Sequence, residues 1–519
     1  MRTLRRITLV LVVLVGGLFL LHVLARHWVE GAIRDQIRSV AASLQATWVA
    51  EERTAIQFDL FGGDLRIVDL RTEAVDAANS RATRASGRVD SLVVDGLGYM
   101  ALLFKGRVSA SRIVLFASDL NIALVSDTVA RSDKNSAIHR TNLAQLQVDL
   151  RNIHLVTPDS LVVDLDRIDL LGNGIKLDLR KPGLESRSLD LQVVQLRLSP
   201  MADSTLKVDT MKVDVTRGTA AISGITFGPT AVVEHAKRLP IERDVVAGKV
   251  GRITIAGLKV DSLLNGHVQF RSLLLGASSL AVARDKVLAD PPFEHKPLPA
   301  KLLRSLPAFT GVDSIIVGDL SVDYHERVDL ARGFARIPFE RIQGVVVNAH
   351  HQTTDTMAIR ATAVVFGNTP LSLDLRSHIG DEQDRILVKA SVGRLSFPQL
   401  NKVLLPLVGV STPEGRLDTL ILHMTGGDHQ ANARCWMRYD GLKVDRRTGR
   451  KTFDPILNSV MNAIVKKGRT GAKKDEGWVD YSWQRRRDRS LFNYLWAGVR
   501  EGAKTSMLPK LVVEQLPKK

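Results

Sequence analysis

Thirteen histidines and a single cysteine, Cys435, limit the metal and nucleophile chemistry open to this 519-residue chain. One thiol excludes an internal disulfide and a multi-thiolate zinc site. His350 and His351 are the only adjacent histidine pair. Neighbouring side chains of a strand leave on opposite faces, so the pair does not read as two ligands of one ion. Asp164 and Asp166 share the i, i+2 spacing of one strand face. They could bind calcium, but a solvated sheet face is the plainer reading. Tyr324, His325 and Glu326 form a polar triplet, read as a structural turn rather than a small polar site. Metalloprotease His-Glu-x-x-His, nucleophile-elbow Gly-x-Ser-x-Gly, the phosphate-cradling Gly-x-x-x-x-Gly-Lys loop and the dinucleotide fingerprint are all missing from the sequence. The expectation is a chain that is not an enzyme, with no cofactor and no metal.

The charge pattern points to surfaces instead. Formal net charge is +17, with local enrichment at both ends. Lys466, Lys467, Arg469, Lys473, Lys474, Arg485, Arg486, Arg487 and Arg489 form one cluster. Such a cluster can be a solvated loop, a contact for anionic lipid headgroups or a nucleic-acid contact. No nucleic-acid-binding motif accompanies it, so nucleic acid is not expected as a partner.

The elements that would carry these residues are strands. Hydrophobic residues make up 45 % of the chain but aromatics only 5 %, so the apolar content is aliphatic. From Ile56 to Val444 the pattern alternates with period two, as in Ile175, Leu177, Leu179 and in Leu371, Leu373, Leu375. Each such strand has one apolar and one polar face. Phase slips, as at Val193-Val194, predict bulges or tight turns. A loose repeat starting near Gly106, Gly251 and Val312 suggests a strand, a kink and a second strand start within a continuous meander. About 20 strands at about 4.8 Å each would extend roughly 95 Å if the sheet stayed open. Its aliphatic face must be covered, by folding into a sandwich or by curling into an apolar trough able to hold acyl chains.

The ends differ from the body. Ile7 to Ala25 is 19 residues without a formal charge, enough for a helix of roughly 28 Å. Ile7, Leu11, Leu14, Leu18, Leu21 and Ala25 mark this expected anchor. Arg2, Arg5 and Arg6 precede it and predict a cytoplasmic start (residues 1–6) with an exported body. A cleavable signal peptide ending at Val23-Leu24-Ala25 is the competing reading, and both export the body. Trp28, Val29, Ala32, Ile33, Ile37 and Val40 predict an amphipathic helix over residues 26–45, capping a sheet or lying on a membrane. The expected domains are a β region at 46–290, a proline-rich connection at 291–310, a second β region at 311–450, and helices with a basic tail at 451–519. Ile456, Leu457, Val460, Met461, Ile464 and Val465 make one helical stripe, and Leu491, Phe492, Leu495, Trp496 and Val499 another. Phe492, Leu495 and Trp496 are the candidate residues for contact with a membrane or the sheet end.

Three stretches resemble the AsmA-like superfamily of bacterial envelope proteins, the second and third of them the C-terminal end of the branch common in Bacteroidota. They are Ser321 to Glu326 with Gly333 and Ile337 to Ile342; Leu400 to Leu405 with Gly415 to Asp418 and Met437 to Val444; and Arg489 to Trp496 with Gly498 and Gly502. The plan of basic start, anchor and long β-rich body resembles that family too. The resemblance implies a long curled antiparallel sheet, a β-groove with an N-terminal transmembrane helix and C-terminal amphipathic helices. It implies a single-pass inner-membrane protein with its body in the periplasm, serving lipid transfer or outer-membrane lipid homeostasis. Phospholipids or other envelope lipids would be the partners. The alternative is a non-enzymatic assembly factor for outer-membrane proteins, offering sheet edges to client strands.

Overall fold

Long runs of alternating aliphatic residues become long strands: the fold is mainly β, 60 % strand. The computed structural model describes residues 30–42, 44–59, 62–74, 84–98, 107–124, 140–178, 183–199, 205–306, 309–351, 355–446 and 477–507. The chain divides into an N-terminal unit, Met1–Ser223 with Val260–Asn265, and a C-terminal unit, Gly224–Lys259 with Gly266–Lys519. The division falls near Ser223, not at the proline-rich segment, which belongs inside the second unit.

In the N-terminal unit the strands Asp64–Ala74, Arg84–Asp95, Arg107–Ala123, Arg140–Val156, Val162–Asp178, Ser188–Ser199 and Leu206–Asp214 follow one another across a sheet. All these pairings are antiparallel except Arg107–Ala123 with Arg140–Val156, which is parallel. Residues 30–42 are helical. Arg34 donates to the Thr54 carbonyl at 3.3 Å and lies over the Trp48 ring at 5.6 Å, which sets the helix beside the first strands.

The C-terminal unit is also mixed. Val268–Leu275 and Ser278–Asp285 both pair parallel to Phe309–Arg327. From there an antiparallel run continues through Phe334–His350, Thr356–Val365, Thr369–His378, Ile386–Val392, Arg416–Gly426, Gln430–Asp440 and Val479–Gln484. The expected antiparallel meander is thus corrected: parallel pairs interrupt it in both units. The expected repeat is corrected too. The stretch from Val312 lies inside the single strand Phe309–Arg327, with its irregularities as register shifts rather than a new strand start. The triplet Tyr324–Glu326 lies in the same strand and is no turn, because its backbone is paired on both sides with Val282–Arg284 and Ala335–Ile337.

The phase slips fall at left-handed residues aligned across neighbouring strands, and only against Arg84–Asp95 does the pairing shift register there. Asp119, Asn152 and Gln195 all carry positive φ, at 53°, 52° and 52°. Asp119 and Asn152 face each other between the pairs Ser118–Arg151 and Leu120–Ile153. Asn152 and Gln195 lie opposite Asp166 on either side. The aliphatic side chains therefore change spacing from two to three at one level: Ala117 and Leu120, Leu150 and Ile153, Leu165 and Ile168, Val193 and Leu196. Each extra residue would turn the next stretch inside out if its neighbours did not slip with it.

This alignment gives a test at Asn152, whose left-handed backbone suits Asn or Gly and penalises a β-branched residue. Asn152→Val is expected to destabilise the N-terminal unit by about 1–2 kcal/mol, and Asn152→Gly to change it little. Urea unfolding of the two variants reads the difference.

The proline-rich segment is an ordered connection. It contains the helix Pro299–Ser305, and Leu298 and Ala300 are fully buried. Arg304 donates to Asp384 at 2.7 Å and to the Ile379 carbonyl.

Candidate functional site

The strongest constellation in the structure is an aliphatic face. In the N-terminal unit, register places Ile56, Ile67, Leu92, Leu115, Val148, Leu170, Leu191 and Val213 side by side across eight strands. Beyond the left-handed residues, Leu120, Ile153, Leu165, Leu196 and Val208 continue the same face. In the C-terminal unit one row runs Ile255, Leu273, Ile315, Val346, Ile359, Leu375, Val388, Met424, Ala433, Tyr481. The next row on that face runs Ile253, Leu275, Val317, Gly344, Ala361, Leu373, Ala390, Leu422, Cys435, Val479. None of these positions is charged.

Burial along the rows is uneven. Leu92, Leu115, Val148, Leu170, Leu191 and Val213 are only half-buried, as are Ile255, Leu273, Ile315, Val346 and Ile359. Leu375, Val388, Met424 and Leu422 are fully buried. The helix Leu491–Met507 covers the strands Arg416–Gly426, Gln430–Asp440 and Val479–Gln484, while Leu375 and Val388 belong to the same buried cluster, which Leu298 of the proline-rich connection joins.

The opposite face is polar and internally neutralised. Arg71 and Arg88 both reach Asp69 at 3.0 Å, and Arg151 and Arg167 grip Asp149 at 2.9 and 3.0 Å. The Arg151 hydrogen bond outweighs the burial of Asp149 and holds its carboxyl below the usual range. Asp164 takes His154 at 2.7 Å. Among the described residues no group of three or more His, Cys, Asp or Glu is placed to hold a metal ion.

His350 meets Asp313 at 3.3 Å, whereas His351 Nδ1 lies 3.1 Å from the Leu303 carbonyl, so the two rings have separate partners. Tyr324 donates to Glu326 at 2.7 Å, and Lys286 meets the same carboxylate at 2.8 Å. Burial raises the Tyr324 phenol and lowers the His325 imidazole.

The expected anchor residues Ile7, Leu11, Leu14, Leu18, Leu21 and Ala25 lie outside the described residues, as does the stripe Ile456–Val465. No described helix is long and apolar enough to cross a membrane. Phe492 is 43 % exposed, yet its ring lies 5.6 Å from that of Tyr324 and 5.9 Å from that of Phe339. Leu495 packs half-buried on the core, and Trp496 is 44 % exposed. The helix buries the line Tyr494, Gly498, Gly502 and Ser506 most deeply, with Leu491, Leu495 and Val499 packed partly buried beside it. A Cβ at Gly498 would come within 2.8 Å of the Trp483 ring, and one at Gly502 within 2.9 Å of the Cys435 Cβ. Only glycine admits this approach. The four-residue spacing is visible in the sequence, beside the more conspicuous pattern of large apolar residues.

The basic cluster is corrected at its described end. Arg485 and Arg489 are buried and bound. Arg489 holds Glu242 at 2.7 Å and Asp290 at 2.9 Å, and Arg284 completes the Glu242 site at 2.5 Å. Arg485 pairs with Asp428, which also takes Arg487 at 2.8 Å and His295 at 2.8 Å. These residues read as a basic patch in sequence because their carboxylates are 57 to 247 residues away. No family model and no curated protein matches the chain.

Two outcomes are expected at the buried network. Arg489→Ala leaves Glu242 with one of its two arginines and is expected to cost about 3 kcal/mol, read as faster hydrogen exchange across residues 491–507. Burial pushes the Glu242 carboxyl up, but Arg489 and Arg284 outweigh it and hold it at about 2. A depressed carboxylate stabilises fully above its unfolded value of about 4.3 and loses that contribution as pH falls toward 2. Exchange over 491–507 is therefore expected to accelerate below about pH 4.3 in the native chain and less so in Glu242→Gln.

Proposed function

We propose that this chain binds acyl lipids along its aliphatic face and serves lipid transfer or lipid homeostasis in a bacterial envelope, as an AsmA-like protein. On this reading residues 7–25 anchor it in the inner membrane and the body stands in the periplasm as a curled groove. The observation that carries the proposal is the combination of uncharged rows across eight and ten strands with the half-burial of their members. A protein interior would bury them; a face that receives guests leaves them accessible. Removing a CH₂ group from water gains about 0.8 kcal/mol, so a 16-carbon tail gains about 12 kcal/mol at most. That is binding by shape and desolvation, with no need for catalytic groups. The charged face, with its Arg–Asp pairs, suits an aqueous exterior.

A second reading, an assembly factor for outer-membrane proteins, draws on one feature. Among the described strands Val479–Gln484 pairs on one side only, with Gln430–Asp440, and such an edge can accept a client strand.

Adjacent residues separate the readings. Leu170 belongs to the aliphatic face and Leu171 is 51 % exposed on the other. Mass spectrometry of lipids copurifying with the full chain is expected to show near-stoichiometric phospholipid in the native protein and in Leu171→Asp. At least a twofold loss is expected in Leu170→Asp combined with Ile315→Asp. Equal lipid in both variants, or none in the native protein, would sink the lipid reading and leave a client β-strand as the ligand to seek.

A further inference from the structure

The aliphatic face of the C-terminal unit ends abruptly. Across the strands Asp244–Ala256, Ser278–Asp285, Phe309–Arg327 and Phe334–His350, one row reads Val246, Val282, Tyr324 and Ile337. The next row on that face reads Asp244, Arg284, Glu326 and Ala335. Apolar chemistry gives way to charge in a single step. Phe492 stands at this boundary, its ring 5.6 Å from that of Tyr324 and 5.9 Å from that of Phe339. On the acyl-binding reading, which it presupposes, we infer that Tyr324, Phe339 and Phe492 are the end wall of a lane for one acyl tail, and that they set the longest tail the C-terminal unit accepts.

The lane leads up to these rings along strand Phe309–Arg327. Ile315, Val317, Leu320 and Val322 form its floor, and Gly344 and Ile342 lie beside Val317 and Leu320 on the next strand. All six are half-buried, and none is charged. Ile315 to Val322 spans roughly 23 Å at about 3.3 Å per residue, which accommodates an extended tail of roughly 16 to 18 carbons. The rings at its end are fixed. Tyr324 and Phe339 pack on the cluster of Ala335, Ile337, Val365 and Val403. Phe492 belongs to a helix held in the core by Leu491, Leu495 and Val499, and it keeps 43 % of its surface open to a guest. Behind the rings every group is already committed. Tyr324 donates to Glu326 at 2.7 Å, Lys286 meets the same carboxylate at 2.8 Å, and Arg284 holds Glu242 at 2.5 Å and Asp244 at 3.2 Å. Each carbon added to a tail gains apolar burial as far as the rings. A carbon beyond them gains none and displaces water from paired charges, which is unfavourable. Gain and cost change over within one row, so the wall produces a sharp limit on length.

Opposite substitutions test the wall. Phe492→Ala removes one of its rings, and Leu320→Phe adds bulk one row short of it. Leu387→Phe is the control, since Leu387 is 55 % exposed on the charged face of the same unit. The full-length proteins are offered a competing mixture of phosphatidylethanolamines with tails of about 14 to 20 carbons, which brackets the lane, and native mass spectrometry reads which are bound. Native hydrogen exchange over Arg416–Gly426 certifies the fold, and Phe339→Leu opens the same wall should Phe492→Ala fail that check. The expected result is a preferred tail longer by about two carbons in Phe492→Ala, shorter by about two in Leu320→Phe, each worth about one strand residue of length, and unchanged in Leu387→Phe. Bound lipid with the native tail preference in both Phe492→Ala and Leu320→Phe would overturn the wall while leaving acyl binding intact. No lipid in the native chain would remove both.

Discussion

One-sided apolarity governs this molecule. A strand that is aliphatic at every second residue must keep those residues on one face from end to end, and so must each of its neighbours. A single extra residue reverses the face for everything beyond it. The chain contains such residues, and their effect is cancelled because Asp119, Asn152 and Gln195 stand at one level across neighbouring strands. The slip becomes a property of the sheet and not of a strand.

The polar side follows from the same constraint. Since every strand has its charges on one face, acids and bases fall into adjacent cross-strand positions, and pairs such as Asp149 with Arg151 and Arg167 form without long reach. Cross-strand pairs of opposite charge stabilise modestly, about 0.2–1 kcal/mol each. Their larger effect is on register, because a one-residue slip would set like charges together and turn the aliphatic rows outward.

At the C-terminal end the constraint is met in another way. There the aliphatic face is closed by a helix, and the segment leading into it is held by charges that have left water. Burying Glu242, Arg489 and Arg485 is tolerable only because each finds partners: Glu242, just before strand Asp244–Ala256, takes Arg489 and Arg284, Asp290 joins from the connection after strand Ser278–Asp285, and Arg485 meets Asp428. The proline-rich connection belongs to this arrangement: its backbone at Lys296 donates to the Arg487 carbonyl at 2.8 Å. Closed and half-open stretches of one face thus coexist in one unit.

How much of this was legible beforehand depends on range. Period-two alternation of Leu, Val and Ile is local, and by itself it determined that the chain is mainly β with one aliphatic and one polar face per strand. The phase slip at Val193-Val194 was also local, and it lies beside the left-handed residue Gln195, which both neighbouring strands pass without a register shift. The absence of any catalytic signature was a property of the sequence alone. What only the tertiary structure decided is which strands meet. Parallel pairing of Arg107–Ala123 with Arg140–Val156, the division near Ser223 and the partners of Arg485 and Arg489 all depend on contacts between residues far apart in the chain. No local pattern encodes these, because hydrophobic alternation constrains a face and not a neighbour. The seating of the last helix shows the same limit. Its sequence displays Leu491, Phe492, Leu495, Trp496 and Val499 as the apolar stripe, of which Leu491, Leu495 and Val499 pack on the core, but the line buried deepest is Tyr494, Gly498, Gly502 and Ser506, where Trp483 and Cys435 leave no room for a Cβ at either glycine.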